Sequence, residues 1–542
     1  MIRNLFRKMA WLPWVVPGFL LWASFPPMAE HTDCLFALAP LMWFARRRPA
    51  RRSFLLWAAN GLFFWLATLS WMPAIVKNGG PWPLVALGWG ALAAYCALYF
   101  GAFGWLSAGF WGWAREGGYW RRLAGLVVVE PVLWAGLELV RSRLFGGFAW
   151  NQLGVAPVNA GFGAPAALGG VYLVSACVVL VNGTIASIAE RMLAPFLKES
   201  SPVTNWARSV ETLIPLAVVW GVYSLGASGC ARPAEGRGES AALPVALVQR
   251  DFPCVFSAAS AREDPVKAYV ELAERTAPVR PAVVVLPESA LGESGPVDQQ
   301  GALAVADRVL AASGASAMLA GGTRFGDGEL FNSAALYVRG KSGAELAGCY
   351  DKVHLVPFGE FIPFDKAIPA LQRLAPVGSC TPGALKTLAL PDGTAVGVAI
   401  CFEDTDSAQM RALARMGARI LFFVTNDSWF SESDEAVQHS WQATARAIET
   451  GLPVVRVGNN GVTGTILPDG RASWLRGPDG NPLVDARATM CDRVPLGGPS
   501  AGRTWYVRLG DVPLAAAFLL LIIGMIVVKY KNEHEKRRYL SM

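Results

Sequence analysis

Cys401, Glu288 and Lys352 are side chains whose types and settings suit acyl transfer. Cys401 ends the run Gly393-Thr-Ala-Val-Gly-Val-Ala-Ile-Cys401 and is followed at once by Phe402, Glu403, Asp404 and Asp406. A short apolar run bounded by polar residues reads as a buried strand. The cysteine therefore sits at a strand's carboxyl end, where α/β sheets place ligands. Alone, it fits equally well as a packing thiol, because free cysteine behaves as a small hydrophobe. A second apolar run, Val283-Val-Val-Leu-Pro-Glu288-Ser, ends in a carboxylate. The third stretch, Tyr350-Asp-Lys352-Val-His-Leu-Val-Pro-Phe-Gly-Glu360, offers a lysine, then a Pro/Gly loop and a second glutamate. A thiol nucleophile needs a base for its proton and a donor for the oxyanion it creates. A carboxylate in an apolar setting has a raised pKa and can be that base near neutral pH. A lysine ammonium stabilises both a thiolate and an oxyanion. Each residue singly has an ordinary reading as a surface or strand-end group. Together, at strand ends, they form a complete acyl-transfer set.

The elements that must position this set belong to an alternating pattern. Strands are expected at 244–249, 283–288, 317–323, 333–338, 395–401, 419–425, 453–457 and 462–467, and helices at 263–278, 299–313, 406–416 and 436–450. Such alternation predicts an α/β sandwich. No internal repeat is visible in it. Residues 229–242, rich in Gly, Pro and charge, read as the linker that precedes it.

The rest of the chain reads as membrane protein. Of 542 residues, 53% are hydrophobic and 16% charged, with 21 Trp, against about a quarter charged in soluble domains. Apolar segments suited to spanning lie near 10–28, 33–46, 54–75, 82–112, 123–141, 165–188, 210–228 and 512–529. A net charge of +7 could suggest nucleic acid. The basic residues cluster between apolar segments instead: Arg3, Arg7 and Lys8; Arg46 to Arg52; Arg115, Arg121 and Arg122; Arg191, Lys198 and Arg208; Lys529 to Arg538. The alternate loops hold only Lys77, Arg141 and Arg143. The positive-inside rule then puts both termini in the cytoplasm and 229–511 on the other side. The expected organisation is a seven-span domain (1–228), a linker (229–242), an outward-facing catalytic domain (243–505), a last span (506–530) and a cytoplasmic tail (531–542).

Nine cysteines without regular spacing suggest no disulfide framework. The histidines His31, His354, His439 and His534 form no tight ligand pattern, and Gly321-Gly322 reads as a strand-end turn, not a phosphate loop. Neither metal nor cofactor is expected.

Glu, Lys and Cys in that order resemble the nitrilase superfamily with its αββα sandwich. Leu286-Pro-Glu288-Ser, Lys352 to Glu360, Cys401-Phe-Glu403, Asn426-Asp-Ser-Trp-Phe430, Gln438 to Pro453 and Asn459-Asn-Gly461 resemble one membrane branch of it, the apolipoprotein N-acyltransferase family. Glu138-Leu-Val-Arg141 and Gly147-Phe-Ala-Trp150 extend the likeness more weakly into the membrane part. The resemblance implies an inner-membrane enzyme, working as a monomer. It would take an acyl chain from a phospholipid through a thioester on Cys401. The acceptor would be the α-amino group of a diacylglyceryl apolipoprotein. Glu288 would be base and then acid, and Lys352 with backbone N–H groups near Phe402 would hold the oxyanion. Glu360, Phe402 and Glu403 would support the site. Phe402 departs from the family's usual Tyr, and Arg250 and Leu286 stand where related chains differ. The loops Pro357–Pro363 and Trp429–Ser433, with Phe358, Phe361, Trp429 and Phe430, would form a lipid gate; inward packing is an equal reading for Phe358 and Phe364. The alternatives are a membrane-anchored amidohydrolase, for which seven spans exceed what an anchor needs, and a non-enzymatic scaffold or transporter, which the intact Glu–Lys–Cys set opposes.

Overall fold

The computed structural model describes residues 12–197, 205–229, 242–252, 264–363, 379–497 and 504–540. The chain divides into two compact units. One holds Met1–Pro73, Trp82–Gly229 and Leu509–Met542; the other holds Ala74–Pro81 and Cys230–Arg508.

The first unit is helical. Among the described residues six helices are long and apolar enough to cross a membrane: Ala50–Asn78, Trp82–Arg115, Tyr119–Arg141, Ala166–Ala194, Ser209–Ser228 and Val512–His534. The two earliest apolar segments form shorter pieces, Val16–Ala23 and Cys34–Ala45. Pro26, Pro27 and the polar run Glu30-His-Thr-Asp33 lie between them, and proline cannot continue a helix. The eight apolar segments thus comprise six full-length helices and two short ones. Leu519, Leu520, Ile523 and Ile526 of the last helix are exposed, as a lipid-facing helix requires.

Charge inside this unit is neutralised in place. Glu130 is buried and accepts from Ser107 Oγ (2.8 Å), Trp111 Nε1 (2.8 Å) and Arg46 Nε (3.1 Å). Arg46, which the sequence groups with a cytoplasmic arginine cluster, is therefore an interior residue. Glu138 accepts from Trp134 Nε1 (2.9 Å) and the Leu153 N–H (2.8 Å). Ionisable groups at membrane depth persist when paired in this way.

The second unit contains two six-stranded sheets. Strands β1 (Ala242–Gln249), β2 (Val283–Val285), β3 (Ala317–Gly326), β4 (Glu329–Arg339), β5 (Ala344–Asp351) and β12 (Ala488–Pro495) form the order β12-β1-β2-β3-β4-β5. Strands β6 (Leu388–Ala389), β7 (Ala395–Ile400), β8 (Ile420–Thr425), β9 (Val454–Gly458), β10 (Gly464–Ile466) and β11 (Ala472–Trp474) form β11-β10-β9-β8-β7-β6. Alternate residues of the central strands face opposite ways and both faces are buried. Val245, Leu247, Val283 and Val285 join Val398, Ile400, Phe422 and Val424 in one core between the sheets. Ala246, Val248 and Val284 pack under the helices Pro265–Glu274 and Gln300–Ser313. Ala399, Leu421 and Phe423 pack under Ser407–Arg415 and Glu435–Thr450. This is the αββα sandwich expected.

Edge strands were the elements the sequence concealed. β5, Ala-Glu-Leu-Ala-Gly-Cys-Tyr-Asp, mixes polar and small residues, and β6 and β11 have only two and three residues. Cys34, Cys96, Cys177, Cys349, Cys380, Cys401 and Cys491 are all free thiols; Cys230 and Cys254 lie outside the described residues.

Candidate active site

β7 ends at Ile400 and the chain turns at once into a single 3-10 segment, Cys401–Thr405. Cys401 takes up the corner with φ 53°. That left-handed conformation is uncommon outside glycine and is held only where the surroundings over-determine it. Here the surroundings include Glu403, two residues on. Its carboxylate is wholly buried and accepts from the N–H groups of Ile400 (2.8 Å), Val353 (2.8 Å) and His354 (3.0 Å), and from the Tyr350 hydroxyl (2.9 Å). Gln409 Nε2 in turn donates to that hydroxyl at 2.8 Å. Hydrogen bonds to an ionised group stabilise by ~1.5–3 kcal/mol each. Four of them, with the charge of Lys352, offset part of the cost of burying the carboxylate, whose pKa burial still raises. Glu403 therefore ties the Cys401 turn to the chain after β5, and its oxygens are occupied by the protein itself. Phe402 meets His354 edge-on at 5.8 Å, so the ring keeps a packing role without the hydroxyl.

Glu288 lies three residues beyond β2, in a turn whose next residue, Ser289, has φ 60°. The strand is shorter than its sequence suggests because Pro287 ends the ladder. Gly321 on β3 makes room for this turn: a Cβ there would lie 2.5 Å from the Glu288 Cα. Asn426, the first residue after β8, donates its N–H to Glu288 Oε2 at 2.9 Å. The Asn426 side chain is fixed by Ser428 Oγ (2.6 Å) and Asn459 Nδ2 (3.1 Å).

Lys352 follows β5 directly and is almost wholly buried. Its Nζ lies 2.9 Å from Glu360 Oε1 and 3.8 Å from Glu288 Oε1. Glu360 also accepts the Val356 N–H at 2.7 Å, which closes the loop back onto Lys352. One residue absent from the sequence reading completes the group. Asn332 Nδ2 donates to both Glu288 Oε1 (2.8 Å) and Glu360 Oε1 (2.6 Å). The β4–β5 register places it there, since the Lys352 N–H donates to the Asn332 carbonyl at 2.8 Å. An Asn in the strand Glu329–Arg339 carries no signal in sequence; only the partner strand gives it meaning.

Electrostatics define the resting state. Burial pushes the Cys401 thiol well above its ordinary pKa; Glu288 adds to that and Lys352 opposes it. The thiol is therefore held protonated, and acting as a nucleophile would require a base to take its proton. Burial also raises the Glu288 carboxyl, against Lys352 and with Glu360. For Lys352, burial favours the neutral amine, but Glu360, Cys401 and Glu288 outweigh it and keep the ammonium. A base of raised pKa, a protonated thiol and a fixed cation are the states acyl transfer needs.

The aromatic loops are placed as follows. Phe358 is 61% exposed and Ile362 5% exposed, with Phe361 between these extremes. Phe364 lies outside the described residues. Trp429 and Phe430 are half-buried. Asn78, on the segment that belongs to this unit, donates from Nδ2 to the Trp429 carbonyl at 2.9 Å. Of the departures, Leu286 fills the core beneath the outer helices. The Arg250 guanidinium lies over Phe252 at 4.4 Å and Tyr269 at 5.1 Å.

Residues 17–184 match the family model of the apolipoprotein N-acyltransferase N-terminal domain, and 245–490 match that of carbon-nitrogen hydrolase. The apolipoprotein N-acyltransferase of Geobacter metallireducens is 32% identical over 515 residues, covering 92% of this chain and 91% of its own. That of Neisseria meningitidis serogroup B is 28% identical, covering 93% and 96%, and that of Photobacterium profundum 25%, covering 98% of each. Among solved structures, a mutant of the Nesterenkonia AN1 amidase from the nitrilase superfamily aligns with 51% of this chain and 97% of its own, at 17% identity and a TM-score of 0.36. On sequence identity carried through both units, the chain belongs to the apolipoprotein N-acyltransferase family.

Proposed function

We propose that this chain does what its family is named for: it moves a fatty acyl chain from a phospholipid to the α-amino group of an apolipoprotein's diacylglyceryl-cysteine, by way of a thioester on Cys401. The observation that carries the reading is the convergence of Glu288, Lys352, Glu360 and Asn332 in one hydrogen-bonded group, with Cys401 in its electrostatic reach.

Glu288 takes the thiol proton as Sγ attacks the ester carbonyl. Lys352, with N–H groups near Phe402, meets the negative charge that gathers on the carbonyl oxygen. The tetrahedral adduct collapses, the C–O bond breaks, and Glu288 returns the proton to the departing lysophospholipid oxygen. The acceptor's amine then attacks the thioester and Glu288 takes the amine proton. The C–S bond breaks and the proton goes back to sulfur. Two substrates thus use one base in turn, which is ping-pong behaviour. Glu360 and Asn332 keep Lys352 and Glu288 apart enough to act separately. We take 243–505 as the catalytic domain, facing the periplasm from the bacterial inner membrane, with a monomer as the working unit. The alternating basic clusters support that orientation. It holds whether the two short N-terminal helices both span or both do not, because removing a pair of spans leaves the parity unchanged.

The test is intact-mass analysis of the full chain after incubation with phospholipid alone. One acyl mass should appear on Cys401 and leave when a diacylglyceryl-cysteine peptide is added. An adduct that drains to water equally fast without the peptide would make the enzyme a hydrolase. A membrane-impermeant thiol probe applied from the periplasmic face should label cysteines of 229–511 and, placed by substitution in 531–542, should fail to label that tail.

A further inference from the structure

Behind the nucleophile lies a buried ring of charge that the mechanism above does not use. The helix Glu435–Thr450 carries His439 into the gap between two turns. His439 Nε2 lies 3.0 Å from Asp404 Oδ1, on the Cys401–Thr405 turn. Its Nδ1 lies 2.9 Å from Asp427 Oδ1, on the turn after β8. Arg456 of β9 repeats the bridge, 3.6 Å from Asp404 Oδ2 and 3.4 Å from Asp427 Oδ2. Glu435, on the same helix as His439, lies 3.6 Å from Nδ1. All five side chains are buried.

The geometry sets the protonation. Both ring nitrogens face carboxylate oxygens, which only accept, so both must carry a proton. Burial alone would pull the imidazole's pKa down; Asp404 and Asp427 outweigh that and push it up to about 10. Each aspartate is tied to one partner in the chemistry. Asp404 sits three residues after Cys401, and Asp427 follows Asn426, whose N–H holds Glu288. The charge of Asp427 also opposes ionisation of both Cys401 and Glu288.

We propose that the His439 imidazolium is a positioning residue of acyl transfer, which joins the nucleophile's turn to the turn that holds Glu288 and, together with Arg456, neutralises the two aspartates behind them. The inference rests on the reading of Cys401 as nucleophile and Glu288 as base. It is tested by His439→Gln and by the double variant His439→Gln/Asp404→Asn, both in the full-length protein. The amide keeps hydrogen-bonding atoms and removes the charge; the second change removes the anion left unpaired. The readouts are kcat and KM for acyl transfer, and the pH dependence of Cys401 alkylation by iodoacetamide, mapped by mass. His439→Gln should lower kcat about tenfold with KM unchanged, and move the alkylation midpoint up by about one pH unit, as an uncompensated nearby anion does. The double variant should bring that midpoint back toward the wild type.

An unmoved midpoint in folded His439→Gln would overturn the proposal. So would a double variant as displaced as the single one. If the single variant fails to fold, the double variant decides through its kcat, which should stay about tenfold low because the imidazolium that joins the two turns is gone; a wild-type kcat would overturn the proposal. Loss of fold in both would make the ring a core support only, and would likewise overturn it. Cys401→Ala separates the underlying reading: if that variant still transfers acyl groups, the nucleophile is wrong, whatever His439 does.

Discussion

Taken from β12 to β5, the first sheet pairs its strands antiparallel, parallel, parallel, antiparallel, antiparallel. The second sheet, taken from β6 to β11, repeats that series. In this comparison β2 corresponds to β8 and β1 to β7. Beyond β2 stands Glu288; beyond β8 stands Asn426; and the two touch through the Asn426 N–H. At the end of β7 stands Cys401, while the end of β1 carries Gln249 and the buried Arg250. Lys352 follows β5, whose counterpart β11 is a three-residue edge. One framework thus provides matching strand ends, and the two halves fill them with unlike groups. On the proposed roles, the first half would supply the base and the cation, and the second the nucleophile and the donor that orients the base. Acyl transfer would use that asymmetry, because base and thiol must hold different proton affinities within one site.

The largest effect is expected from the second half. Cys401→Ser should lower transfer by at least about 10³-fold while leaving the protein folded, since a serine hydroxyl is too weak an acid for this carboxylate and lysine to activate. Near-normal turnover would mean that the second half does not carry the nucleophile. From the first half, Glu288→Gln and Lys352→Ala should each slow thioester formation itself, by about 10²–10⁴-fold. A variant that acylates normally and fails only on amine addition would refute its assigned role. The pH dependence has a definite sign. The Glu288 pKa is raised, so the base form appears only as pH climbs past the ordinary carboxylate range. Acylation should fall on the acid side at a pH above that range, and Glu288→Gln should erase this limb.

Within the first half, Asn332 joins Glu288 to Glu360. Asn332→Ala should cost about 10–100-fold in kcat, and Asn332→Asp more, because it adds a third carboxylate beside Glu288 and Glu360. Equal losses would reduce Asn332 to packing. The aromatic loops, one from each half, should matter less and selectively. Trp429→Ala and Phe361→Ala should slow acylation from phospholipid vesicles several-fold more than alkylation by a small thiol reagent. Equal effects on both would end the idea of a lipid gate. Glu360 ties the Phe361 loop to Lys352.

The smallest expected effect concerns stability. The folded pKa of His439 is raised to about 10 from 6.5. Its contribution is therefore complete below pH 6.5 and is lost as pH rises through about 10. Thermal unfolding followed across that window should show a decline that His439→Gln flattens; an unchanged slope would place the decline on other groups.

Much of the protein was legible in residue order alone. Two central strands could be read from apolar runs that stop at Cys401 and just before Glu288, because strands buried on both faces leave no room for polar residues. Long apolar segments and alternating basic clusters exposed the membrane unit, because a bilayer penalises any other arrangement. Cys401, Glu288 and Lys352 stood out in local order as residue types suited to acyl transfer. Which other groups they meet was set by the packing of segments far apart in the chain. β5 was hidden by its mixed composition, so the register that sets Asn332 across from Lys352 was hidden with it. Arg46 looked like one of several loop arginines until a helix distant in sequence brought Glu130 to it. Glu403 was expected to support the site, and three N–H groups and a hydroxyl from separated segments show what its carboxylate holds. The repeat of the two sheets left no trace in the sequence, because strand pairing constrains backbone direction and burial, and many different side chains satisfy both.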